Sequence, residues 1–103
     1  MFRQGDILVV PVAEVPEWVE SAPSAPRDGR GRLVLALGEA TGHAHAVPGP
    51  GVLVLDPRGD YLHLPQGGRL VHEEHAAISL PPGWFRVVRQ REYVPGAYRL
   101  VAD

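Results

Sequence analysis

The stretch VLVLDPRGDYLHLPQGGRLVH, residues 52–72, decides the fold. It holds three short apolar runs: VLVLD (52–56), DYLHL (60–64) and RLVH (69–72). PRG (57–59) and PQGG (65–68) separate them, and Gly and Pro at those places supply the backbone angles of tight turns. Runs this short, bounded by turn residues, predict β-strands rather than helices. The same rhythm extends outward in both directions. DILVVPV (6–12), RLVLAL (32–37) and TGHAHAV (41–47) precede it. AISL (77–80), WFRVVRQRE (84–92) and YRLVAD (98–103) follow. Gly38, between two of these runs, predicts a bulge or bend. No stretch sustains a helical period, and EEHAA (73–77) offers one turn at most. About eight such strands with frequent turns predict an all-β fold, a small β-barrel or sandwich.

The chain has 103 residues, the size of one domain spanning 1–103. Residues 13–31, AEVPEWVESAPSAPRDGRG, hold three prolines and several charges and predict a long, mobile loop, pinned at its start by Trp18 and Val19. A net charge of −2 argues against a chain built to coat nucleic acid or an anionic membrane. The absence of cysteine excludes disulfides and thiolate metal sites, so any metal is held by imidazole, carboxylate, backbone or water. No apolar run approaches the roughly 20 residues that cross a bilayer. The opening MFRQGDILVVPV lacks a signal-peptide pattern, and the expected location is the cytoplasm.

The five histidines, His43, His45, His63, His72 and His75, all fall between residues 43 and 75. His43 and His45 are two apart, so a strand points both the same way. If DYLHL and RLVH pair across PQGG with Leu64 opposite Arg69, His63 and His72 become diagonal neighbours. Glu39, Glu73 and Glu74 are the nearby acids. The leading expectation is a histidine-lined pocket that holds a divalent metal through His43, His45 and His72. His75, His63 or Glu39 then completes the shell. Zinc, iron, manganese or nickel suits such donors, and the metal would activate water or orient a small ligand. The plain alternative is that these are polar residues on a solvated face.

GEATGHAH (38–45) resembles the first motif of the cupin superfamily, in which a glycine precedes HxH. PPGWFR (81–86) resembles the PxG of the second motif. The resemblance implies a small β-barrel with a metal on His43 and His45. The glutamate that follows HxH in cupins has no counterpart in AVPGPG (46–51). Arg86 stands at the second-motif histidine, leaving His72 or His75 to substitute. The chain also resembles an uncharacterised family of short bacterial or phage proteins with GE-TGHAH early and HEEHAAISLPPGWFRVVRQREY late, which implies no activity.

A second functional reading is a non-catalytic module that docks on a protein or RNA partner. Its surface would be the 13–31 loop with Trp18, together with the strand carrying Arg86, Arg89, Arg91 and Tyr93. Strand alternation splits those arginines, with Arg89 and Arg91 on one face and Arg86 on the other. Pairing with acids is their ordinary role. Edge strands also make a homo-oligomer an expectation. The RGD at 58–60 reads as turn chemistry, and none of the serines lies on a strained nucleophile turn.

Overall fold

The computed structural model describes residues 1–37 and 43–90. Nine strands and one helical turn follow in order: β1 (Phe2–Gln4), β2 (Ile7–Val12), α1 (Glu17–Ser21), β3 (Leu33–Leu37), β4 (Ala44–Val47), β5 (Val52–Val54), β6 (Asp60–Leu64), β7 (Gly68–Leu70), β8 (Ile78–Leu80) and β9 (Gly83–Arg89). Five of them form an antiparallel sheet in the order β1-β2-β9-β6-β5. β3 pairs with β4 and β7 with β8. A bridge between Ala46 and Val71 joins the two small ladders, with reciprocal N–H to O bonds of 3.0 and 2.8 Å. None of the sheets among the described residues closes into a barrel: β1 and β5 are the outer strands of the large sheet. The fold is all-β, and the barrel expectation gives way to several separate antiparallel sheets.

Alternation builds the core. Ile7 and Val9 of β2, Leu62 and Leu64 of β6, and Phe85 and Val87 of β9 project to one side of the large sheet. There they form one buried cluster with Leu33, Leu35, Val47, Leu70 and Leu80 from the two small ladders. Leu35 is the extra residue of a β-bulge opposite β4, so Leu35 and Ala36 are both buried. The bulge falls three residues before Gly38, which itself lies outside the described residues.

On the opposite side of the large sheet, Val15, Trp18, Val19 and Ala22 of the 13–31 excursion pack with Val52, Val54, Tyr61 and Trp84. Pro16, with φ −57°, opens α1, and Glu17 and Glu20 lie in its first turn, where the helix dipole favours acids. Val19 is 1% exposed and packs with Val54 and Tyr61. Farther along, the Ala25 N–H donates to Leu53 O at 2.7 Å, and Arg27 donates to the carbonyls of Gly31 and Gly51. The segment read as a loop thus holds a helical turn and several ties to the body. The 98–103 strand expected from sequence lies outside the described residues.

The hairpin expected across PQGG does not form. Both edges of β6 are already taken, by β5 and β9, so no edge remains for residues 69–72. Gly67, at φ +74°, instead turns the chain out of the large sheet toward β8. A Cβ there would lie 2.7 Å from Leu80 O, so the turn needs glycine for space as well as for φ.

Candidate metal centre

His45 and Val47 share one side of β4, so the imidazole continues the line of the core to its polar end. At that end β4, the β1–β2 turn and residues 71–77 converge. Gln4 is the organiser. Its Nε2 donates to Leu70 O and Ala76 O, both at 3.0 Å. With both amide hydrogens on carbonyls, the other end of the side chain is the acceptor Oε1, 2.9 Å from His45 Nδ1. That contact requires a hydrogen on Nδ1, which leaves the lone pair of a neutral ring on Nε2. His45 Nε2 faces Asp6 Oδ1 at 3.7 Å.

Four of the five histidines gather here. Ring centroids are 4.3 Å apart for His45 and His72, 4.7 Å for His72 and His75, 5.6 Å for His43 and His72, and 5.9 Å for His45 and His75. Gly5 makes the close approach possible. A Cβ on it would lie 2.9 Å from His75 Nε2 and 3.3 Å from His45 Cε1.

Within this cluster, His43, His72 and Glu73 each offer one ligand atom, and these atoms lie within 4.8 Å of one another. Such a group can hold a metal ion. Zinc bonds of about 2.0–2.1 Å at tetrahedral angles place donors about 3.4 Å apart, so a pair near the 4.8 Å limit must draw in by about an ångström or more. Glu73 is exposed and His43 half-buried, which gives them room to do so. Their outer partners are in place. His43 Nδ1 lies 3.5 Å from Glu74 Oε2, an arrangement that orients a ligating imidazole. The Glu73 carboxyl is held below the usual carboxylate range, first by its own backbone N–H, then by the Ala44 N–H at 3.1 Å, with His43 and His72 adding to the effect. It stays ionised as a ligand must. His72 is the member that must rearrange. Its Nδ1 accepts the Glu74 N–H at 3.0 Å, so it binds metal through Nδ1 on releasing that bond, or through Nε2 on changing tautomer.

The sequence expectation is thus redistributed. His43, His72 and Glu73 form the group able to hold a metal, and His45 and His75 adjoin it. His63 is elsewhere. It sits opposite Trp84 on the large sheet's other face and stacks on that indole at 4.5 Å, because its strand pairs with β9 and not with residues 69–72. Glu39 lies outside the described residues. Gln4 closes β1, and Gly5 and Asp6 form the turn into β2. Nothing in the four residues RQGD signals that Gln4 reaches β4 and the 71–77 segment.

Of the residues expected to bind a partner, Trp18, Arg86 and Arg89 contact groups within the chain. Trp18 packs edge-on against Tyr61 at 5.9 Å, with the Arg58 guanidinium 3.9 Å over its ring. Arg86 lies 5.3 Å over Tyr61. Arg89 projects to the core side, pairs with Asp60 and donates to Leu35 O. Arg91 and Tyr93 lie outside the described residues. No helix among the described residues is long and apolar enough to cross a membrane.

Fold and site together define an all-β protein carrying an imidazole–carboxylate group at one end of its core. The chain belongs to a family described as a domain of unknown function (DUF8820), which matches residues 3–90. That match makes no tie to the cupins. No curated protein and no solved structure matches the chain.

Proposed function

We propose that this protein is a divalent-metal-binding module, a β-sandwich that holds one first-row ion on His43, His72 and Glu73 and offers the remaining coordination positions to a small ligand. The observation that carries this reading is the convergence of three ligand atoms within 4.8 Å. Two imidazoles and a carboxylate, with no thiolate anywhere in the chain, suit zinc, iron, manganese or nickel. Such an ion, when bound, supplies a Lewis-acid centre able to orient a small molecule or activate water. The chain's own part is to hold the donors. Gln4 and His45 brace the cluster from the buried side, and Glu74 orients His43 from the exposed side. A docking role for Trp18 and the β9 arginines has less to draw on, since those groups already face partners within the chain.

Equilibrium dialysis against zinc, nickel or manganese tests the proposal. One equivalent per chain is expected, together with a rise in melting temperature, because a ligand of the native state stabilises by about 2.7 kcal/mol at 100 times Kd. His43→Ala and His72→Ala should abolish uptake, while His63→Ala keeps it. Wild-type protein that takes up no metal and melts unchanged overturns the reading.

A further inference from the structure

His72 and Glu73 do not face open solvent alone. Together with Val71, Arg30 and Arg32 they line a cleft of about 210 Å³. The arginines are held there by a built turn. Asp28 Oδ1 accepts the N–H groups of Arg30 and Arg32 at 2.9 and 2.8 Å. Asp28 N–H donates to Arg32 O at 3.0 Å, and Gly31 N–H donates to Asp28 O at 2.9 Å. The Arg32 guanidinium is committed to the Asp28 carboxylate at 2.8 and 2.9 Å. The Arg30 side chain is exposed and has no such partner among the described residues.

The charges of this cleft follow. Arg32 and Asp28 offset each other, and Glu73 offsets Arg30, so the cleft is close to neutral on its own. A divalent ion on His43, His72 and Glu73 adds two positive charges, with coordination positions still open. An anion in the cleft would then have both the metal held by the lining residues His72 and Glu73 and the guanidinium fork of Arg30 beside it. Arginine forks match the paired oxygens of carboxylates and phosphates. A space of about 210 Å³ admits a small anion such as acetate or phosphate.

Resting on the metal-binding reading above, we infer that this cleft binds a small oxyanion, a carboxylate or a phosphate, between the metal and Arg30. Anion and metal then bind with reciprocal coupling, each tightening the other.

Cobalt(II) is the probe, because its visible absorption reports its ligands. Wild type and Arg30→Gln are loaded with cobalt and titrated separately with acetate and with inorganic phosphate. Among the described residues the Arg30 side chain makes no hydrogen bond or ion pair to lose, so the variant should fold and take up cobalt as wild type does. The expected result is a saturable spectral change in wild type for one of the two anions, weakened about tenfold or more in Arg30→Gln. Which anion responds identifies the chemical source. Cobalt uptake with no response to either anion, or with equal responses in both proteins, overturns the inference and leaves the metal site standing. Failure of both proteins to take up cobalt removes the metal site and this inference together.

Discussion

Replacing Gln4 by Met tests the buried network that positions the cluster. The substitution keeps the length of the side chain and deletes its amide. Three groups lose their partner: Leu70 O, Ala76 O and His45 Nδ1–H. Gln4 and His45 are 3% and 4% exposed, so water does not replace the lost bonds at Leu70 O or at the imidazole. Ala76 O is only partly buried and regains water more readily. An orphaned buried polar group costs about 1–3 kcal/mol. Two full penalties and one reduced penalty give about 3 kcal/mol, a large share of the roughly 5–15 kcal/mol that stabilises a domain. At about 4–8 °C per kcal/mol, the melting temperature should fall by about 12–24 °C. Urea denaturation of metal-free protein, followed by circular dichroism, reads the free energy. Histidine nitrogen shifts by NMR read the second consequence: His45 carries its hydrogen on Nδ1 in wild type, and that preference should weaken in Gln4→Met. A loss below about 1 kcal/mol with the His45 tautomer unchanged would refute the network as described.

Two further perturbations probe the surroundings. Gly5→Ala places a methyl group at φ +59° and 3.3 Å from His45 Cε1, a ring fixed by Gln4. It should cost about 1 kcal/mol or more and weaken metal uptake, and a variant as stable as wild type with unaltered uptake would count against a tightly bounded cluster. Asp56→Asn removes a carboxylate whose pKa is pulled from 3.8 to about 2, chiefly by hydrogen bonds from the Arg58 side chain and then from its backbone N–H. Because the folded value is depressed, the stabilisation is present above the unfolded value and is lost as pH falls through the folded one. The stability gap between wild type and Asp56→Asn should therefore hold from pH 7 to 5 and close between about pH 4 and 2. A gap independent of pH in acid would remove Asp56 as its cause.

Much of the strand order along the chain was legible because turn residues cut it. DYLHL became β6 at residues 60–64 as read, and VLVLD yielded β5 over its first three residues. Pairing was not legible. PQGG looks like a hairpin connection, yet the far end of the chain, β9, takes the edge of β6 that a local hairpin would have used. Sequence distance carries no information about such a competitor, and the error carried His63 into a cluster it does not join. α1 was missed for a different reason: one turn is too short to show a period, and its stability comes from Val19 packing under the sheet. At the site, GHAH and HEEH were sufficient to bring His43, His72 and Glu73 into consideration, since clustered histidines and acids are visible as residue types. Gln4 and Arg30 were not, because each acts through a contact across 41 or more residues or across a cleft that exists only once the layers pack.

The most direct measurement is an anomalous-difference map from crystals of the protein soaked in zinc and recorded at the zinc edge. The account predicts one strong peak per chain within about 2.0–2.2 Å of nitrogens of His43 and His72 and of a Glu73 oxygen, with the His72–Glu74 bond broken or the His72 tautomer exchanged. A map with no peak at this cluster, or with zinc only on His63 or on scattered surface carboxylates, would contradict it.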